Sequence, residues 1–269
     1  MPTLPSRPSP DEPHRARHVA ESFGAEAERY DRTRPRYPGD LIARVVAASP
    51  GPDVLDVGCG TGIASRAFAA AGCRVLGVDP DGRMAAFARR HGLPVEVATF
   101  EDWDPAGRAF DAVVAGQSWH WVDTVAGAEK AASVLRPGGR FAPFWYVFEA
   151  PPALAEAFSA VYARVLPDSP FARGVMPGLT AYSAIFATTA DGIRATGAFS
   201  EPEEWRFTWQ RPYTRDEWLD QVPSFGGHAD LPADTLDALL AGVGAAIDAV
   251  GGTFPVHYTA AVVTASRST

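Results

Sequence analysis

Short apolar runs alternate with stretches of helical spacing from about residue 40 to residue 148. Val54-Leu55-Asp56-Val57, Arg74-Val75-Leu76-Gly77-Val78-Asp79, Val95-Glu96-Val97-Ala98 and Phe110-Asp111-Ala112-Val113-Val114-Ala115-Gly116 read as strands. They are close to continuously apolar, as strands covered on both faces are. Between them fall helix formers: Leu41 to Ala48 with Asp40 as its cap, Ala64 to Ala71 closed by Gly72, and a helix opened by Pro80-Asp81-Gly82. Strands alternating with helices predict an α/β fold with a doubly wound parallel sheet. Further on, Ala153 to Tyr162 and Thr180 to Thr188 read as helices, and Glu203 to Trp209 alternates polar with aromatic as a half-buried strand does. Thr214 with Glu217 three residues later forms a capping box ahead of another helix. Leu236 to Val250 is a longer helix, and Val256 to Val263 a final strand.

Composition narrows the classes. The 269 residues are enough for one large core, and a net charge of −8 argues against a nucleic-acid binder, which needs a basic face for phosphates. Two cysteines, Cys59 and Cys73, give no disulfide framework and suit a reducing, cytoplasmic setting. No apolar stretch reaches the length of a membrane span. Residues 1–17, rich in proline and charge, read as a disordered tail without the apolar segment of a signal peptide. From His18, Val19 to Tyr30 reads as a short amphipathic helix ended by Arg34-Pro35. The six histidines show no H-x-x-x-H or Cys/His pairing, so no metal is expected.

The chemistry gathers at Asp56-Val57-Gly58-Cys59-Gly60-Thr61-Gly62-Ile63. A strand, a glycine turn and a helix N-terminus in that order make a cradle where a ligand can approach bare backbone and unpaired N–H groups. Cys59 within the turn reads as a small packed thiol. Ile63 stands where a dinucleotide fingerprint would place its last glycine, and no Gly-Lys-Ser/Thr follows for a triphosphate loop. Asp56, just before the first glycine, would repel a pyrophosphate and welcome an ammonium. Asp79 ends the next strand, where an acid commonly holds a ribose diol.

These glycines and acids resemble motif I and the following acidic position of class I S-adenosylmethionine-dependent methyltransferases of the small-molecule type. Tyr30-Asp31-Arg32-Thr33-Arg34-Pro35-Arg36-Tyr37-Pro38 is similar to the segment that precedes their core, and Leu135-Arg136-Pro137-Gly138-Gly139-Arg140-Phe141 to their turn into strand five. The resemblance covers about residues 19–148. It implies a Rossmann-like, doubly wound, seven-stranded, mostly parallel sheet with an antiparallel last strand and a helical cap insertion. The units would be 18–148 as cofactor core, 149–200 as cap over the acceptor site, and 201–269 as the rest of the sheet. It further implies S-adenosyl-L-methionine contacts from Tyr30, Arg34, Asp56, Gly58, Cys59, Gly60, Gly62, Asp79, Pro80, Met84, Phe100, Glu101, Gln117 and Trp119. Tyr30 and Arg34 would close over the methionine end, Arg34 on its carboxylate, or else form an aromatic-basic hinge. Met84 would meet the adenine or fill the core. Phe100 and Glu101 would read the adenine edge or form a solvated acidic loop.

The loop after strand four, Gln117-Ser118-Trp119-His120-Trp121, faces the transferred methyl in this family. His120 reads as a base, as an acceptor contact, or as a packed ring between two tryptophans; His228 is a weaker candidate. Trp121, Trp145 and Tyr146 read as an acceptor pocket or as ordinary core. The expected reaction is in-line methyl transfer to an oxygen, nitrogen or carboxylate of a small metabolite, with no nucleic-acid or membrane partner and a homodimer left open. The competing readings are a binder of the same cofactor without transfer and, on Ile63 weakly, an NAD-dependent oxidoreductase.

Overall fold

The computed structural model describes residues 26–173, 179–225, 228 and 231–268. The expected tail and the first turns of the expected 19–30 helix lie outside the described residues. The chain runs α1 (Ala27–Thr33), α2 (Gly39–Ala47), β1 (Asp53–Val57), α3 (Ile63–Ala70), β2 (Arg74–Asp79), α4 (Gly82–Arg90), β3 (Val95–Val97) and β4 (Phe110–Gly116). It continues as α5 (Thr124–Val134), β5 (Leu135–Glu149), α6 (Pro152–Val165), α7 (Leu179–Thr196), β6 (Glu203–Thr214), α8 (Arg215–Gln221), α9 (Ala233–Asp248) and β7 (Thr253–Ser266).

The strands form one sheet in the order β3-β2-β1-β4-β5-β7-β6. Strands β1 to β5 pair in parallel, and β7 runs antiparallel between β5 and β6. This is the Rossmann-like sheet with an antiparallel last strand that the sequence leads one to expect. The order reverses between β1 and β4, so their carboxyl ends open a crevice, the usual ligand position in such sheets.

Residues alternate between two apolar layers, as period-two side chains must. Val54, Ala112, Val114, Phe144 and Tyr258 face α2, α3, α6, α8 and α9. Leu55, Val57, Val113, Ala115, Phe141 and Trp145 face α5 and α7. The two helices of 149–200 therefore join opposite faces of the sheet: α6 packs with α9, and α7 with α5.

Three local expectations change. Asp40 does not cap α2; the cap position is Pro38, in extended backbone, whose carbonyl accepts from Leu41 and Ile42 N–H. Asp40 instead sits in the first turn, where its charge favours the helix dipole. The expected helix 180–188 is part of the 18-residue α7. It continues through Gly192, where a Cβ would come within 2.8 Å of the Thr124 carbonyl oxygen, so the glycine lets α7 lie directly on α5. The Pro137-Gly138-Gly139 turn lies within β5, opposite a register shift in β4, with Gly138 at positive φ. Among the described residues no helix is long and apolar enough to cross a membrane.

Candidate functional site

The crevice is a cleft of about 850 Å³ including the space open to solvent. Tyr30, Gly58, Gly60, Asp79, Pro80, Met84, Phe100, Glu101 and Gln117 of the expected set line it, as does Trp121. A smaller cleft of about 330 Å³ adjoins it, sharing Tyr30, Gly58, Gly60 and Gly116, and bounded by Asp56, Cys59, Thr61 and Tyr37.

The three loop glycines all take positive φ, for three different reasons. At Gly58 a Cβ would lie 2.5 Å from Ser118 Cβ, because Ser118 folds under the loop to donate to the Val57 carbonyl at 2.5 Å. Gly62 caps α3, and a Cβ would meet Leu93 Cδ1 at 2.2 Å. Gly60 alone of the three has nothing within 4 Å in that direction, and it borders both clefts.

Asp79 is buried at the end of β2, and both its oxygens are engaged by backbone: Gly60 N–H donates at 2.7 Å and Asp81 N–H at 2.9 Å. Burial raises its pKa to about 6, the two N–H donors opposing the rise. This bond fixes the glycine loop against β2, and the carboxylate keeps further lone pairs on the cleft wall. Asp56 is 1 % exposed and receives Ser65 Oγ at 2.5 Å on Oδ2, while Oδ1 has no partner. Burial pushes Asp56 up to about 7, against the Ser65 bond. A buried carboxylate oxygen left bare beside a cleft is costly unless a donor or cation meets it there.

At the far end of the large cleft, Glu101 Oε1 accepts Asp123 N–H at 3.0 Å at the start of α5, and Lys130 Nζ holds the Glu101 carbonyl at 2.7 Å. The loop is thus structured rather than a free solvated turn. Gln117 adopts φ +61°, uncommon for a side-chain-bearing residue and a known mark of functional loops. Its backbone N–H donates to Phe144 O at 2.8 Å and its Nε2 to Tyr146 O at 3.0 Å.

Several expected site residues lie elsewhere. Trp119 turns into the core, its ring 4.7 Å from Phe141 and 6.0 Å from Phe100, and does not line either cleft. Gly127 on α5 makes room for it: a Cβ there would sit 3.0 Å from the indole. Trp145 is fully buried against Phe186 of α7, and Tyr146 packs edge-on to Tyr37 and Tyr258. Cys59 does bound the smaller cleft, but its side chain is buried among Ala85, Ala88, Leu93 and Val95, where burial pushes its thiol well up. Arg34 lines neither cleft; its guanidinium sits 4.8 Å from the Tyr30 ring and 5.6 Å from Phe225, with Nη2 donating to Ser224 O at 2.5 Å. His228 is buried, its Nε2 3.1 Å from the Tyr162 hydroxyl.

His120 receives the Trp145 indole N–H at Nδ1, 3.1 Å away. Indole only donates, so Nδ1 carries the lone pair and the proton of the neutral ring lies on Nε2. Desolvation lowers the imidazole pKa to about 4. A ring so held offers a donor, not a base, at neutral pH. Sequence reasoning misses Tyr37, Thr61, Asp81 and Ser118 as cleft residues. A hydroxyl after a strand end carries no periodicity, though Tyr37 stands inside the Tyr30–Pro38 segment.

Residues 54–139 match the family model described as a methyltransferase domain. An uncharacterized methyltransferase of Mycobacterium tuberculosis is 38% identical over 132 residues, 48% of this chain and 54% of the relative, so the chain spans about half that relative's length. A demethylmenaquinone methyltransferase of Mycobacterium sp. (strain JLS) is 30% identical over 185 residues, 66% of this chain and 78% of the relative. Among solved structures, a putative type II methyltransferase from Anaeromyxobacter dehalogenans superposes with a TM-score of 0.63 at 25% identity, over 87% of this chain and 97% of that one.

Proposed function

The chain belongs to the class I S-adenosylmethionine-dependent methyltransferases, and from that premise we propose that it moves a methyl group from S-adenosylmethionine to an oxygen, nitrogen or carboxylate of a small organic metabolite. The observation that carries this reading is the pairing of Gly60, bare toward the clefts, with two buried acids at their wall, one of which keeps an unpartnered oxygen. Such a cradle fits an adenosyl group with a cationic amino-acid tail and would repel a pyrophosphate.

In this reading Asp79 accepts from the ribose hydroxyls, and Met84 and Phe100 flank the adenine, with Glu101 near its amino edge. Asp56 lines the smaller cleft and keeps Oδ1 without a partner, and an ammonium there would be met by its charge. Tyr30 borders both clefts and closes the cofactor from above. When bound, the cofactor supplies a methyl group that its sulfonium has already made electrophilic. The chain's part is then to align a nucleophile and keep water out, at the Gly116–Gln117 turn where the two clefts meet. His120 lines neither cleft, and with its proton on Nε2 it offers a donor rather than a base to any group that reaches it.

Relatives named for demethylmenaquinone and for ubiquinone biosynthesis act, by those names, in quinone chemistry. A small cyclic acceptor suits the aromatic surroundings that Tyr30 and Tyr37 give the clefts. The test is transfer of isotope-labelled methyl from S-adenosylmethionine into a fractionated metabolite extract. A labelled small product that depends on the protein supports transfer. Saturable cofactor binding with no labelled product would favour a binder that has lost the reaction.

A further inference from the structure

Four arginines lie close together on and just after α1. Arg29 and Arg32 pair with Asp220 of α8 at 3.5 and 2.9 Å, and Arg36 with Asp31 at 3.3 Å. Arg34 differs: among the described residues no carboxylate lies within ion-pair distance of it. Its Nε is buried without a hydrogen-bond partner, while Nη2 donates to the Ser224 carbonyl. A guanidinium stays charged at any ordinary pH, and the groups around this one are the phenols of Tyr30 and Tyr146, with Tyr182 of α7 beside them. Arg34 is half-buried, and a guanidinium met by neutral phenols, ring faces and a carbonyl, with Nε shut away from water, has no counter-charge among the described residues.

The Tyr30 ring lines both clefts, and the Arg34 guanidinium rests against that ring without lining either. The surroundings of Arg34 come instead from Tyr146 on β5, Tyr182 on α7 and Phe225 after α8. These elements all lie outside the strand-and-turn unit that builds the cofactor cradle. We propose that Arg34 is a specificity residue for the methyl acceptor, and that the acceptor is a small organic acid whose oxyanion the guanidinium holds while its apolar body lies among Tyr30, Tyr146, Tyr182 and Phe225. A guanidinium draws charge from the oxygen it binds, so this oxyanion anchors the molecule and a second atom takes the methyl. The inference rests on the methyltransferase reading, and it departs from the assignment of Arg34 to the cofactor's own carboxylate.

The experiment uses the full chain loaded with S-adenosylhomocysteine, the demethylated cofactor, titrated calorimetrically with benzoate, phenylacetate, cinnamate and their primary amides. Phenol and its methyl ether form a second arm that separates carboxylate from phenolate recognition. The wild type should bind at least one of these anions about tenfold or more tighter than its uncharged counterpart. Arg34→Gln should erase that preference while keeping S-adenosylhomocysteine affinity within about twofold, and Arg34→Lys should keep part of it. Should Arg34→Gln fail to fold, the Lys variant carries the comparison through its weaker discrimination. Equal binding of acids and amides, or no binding of either, overturns the inference. So does a loss of about tenfold in S-adenosylhomocysteine affinity in Arg34→Gln, which would return Arg34 to the cofactor. If the wild type binds no S-adenosylhomocysteine at all, the methyltransferase reading itself fails, and the two failures are told apart at that first titration.

Discussion

A single added methyl group should separate the roles of the three loop glycines. Alanine at Gly60 must hold φ near +56°, which costs a side-chain-bearing residue about 1–2 kcal/mol. The smaller conformational freedom of alanine in the unfolded chain returns about 0.4–1 kcal/mol. The net is about 1 kcal/mol, and for a chain of this size that lowers the melting temperature by roughly 2–4 °C. No steric term is added, since nothing lies within 4 Å of the new Cβ. Gly58→Ala carries the same backbone cost plus a 2.5 Å approach to Ser118 Cβ, and overpacking of that kind costs about 1–3 kcal/mol more. Ligand binding should show the reverse order. The Gly60 methyl would occupy the surface against which the proposed function sets the adenosyl group, weakening S-adenosylhomocysteine by about tenfold or more, or 1.4 kcal/mol. Thermal melts and calorimetry on wild type, Gly58→Ala and Gly60→Ala give both quantities. If Gly60→Ala binds S-adenosylhomocysteine as well as wild type while staying folded, the open space beside it is not the ligand's and the reasoning fails.

Other perturbations probe the acids, the imidazole and the helix contact. Asp79→Ala removes an anchored carboxylate from the cleft wall; loss of hydrogen bonds to a charged acceptor should weaken S-adenosylhomocysteine by about 1.5–3 kcal/mol, and an unchanged dissociation constant would remove Asp79 from the ribose. Asp56 and Asp79 have folded pKa values of about 7 and about 6, above the 3.8 of free Asp, so the stability they contribute is full below about pH 4 and is lost as pH rises through 6 to 7. The apo protein should therefore melt lower at pH 8 than at pH 5.5 relative to Asp56→Asn. Binding of an ammonium at pH 7 should release about half a proton, read from calorimetry in buffers of different ionisation heat; no release would place the ammonium elsewhere. His120 should appear in nitrogen-correlated NMR as the neutral Nε2–H tautomer down to about pH 5, and a Nδ1–H tautomer would be incompatible with the Trp145 contact. Gly192→Ala should drive α7 off Thr124 and lower stability by about 1–3 kcal/mol in denaturant unfolding, with little effect if the helices can slide apart.

Much of the cradle is legible in the sequence because its physics is local. Four apolar runs, an acid at the end of two of them, and a glycine turn before a helix are patterns that neighbouring residues define. The parallel part of the sheet follows from these patterns, while the antiparallel β7 is what the family resemblance implies and the structure shows. What stays hidden depends on residues far apart in the chain. α7 reads from its sequence as half its length, and only the structure shows Gly192 lying against Thr124 in its second half. Trp119 and His120 are adjacent, yet one indole enters the core and the other ring is fixed by Trp145, 25 residues on. Gly58, Gly60 and Gly62 are indistinguishable in a motif, because only Ser118 and Leu93 reveal which glycine is open to a ligand. Arg34 takes its apparent role from its neighbours in sequence, whereas its setting is made by Tyr146, Tyr182 and Phe225.

What the clefts around Gly60 accept decides the matter, and a calorimetric titration of the wild-type chain with S-adenosylhomocysteine and, separately, with NAD measures it directly. Saturable one-to-one binding of S-adenosylhomocysteine with no heat from NAD is the predicted result. Binding of NAD without S-adenosylhomocysteine would contradict the roles assigned to Asp56, Gly60 and Asp79.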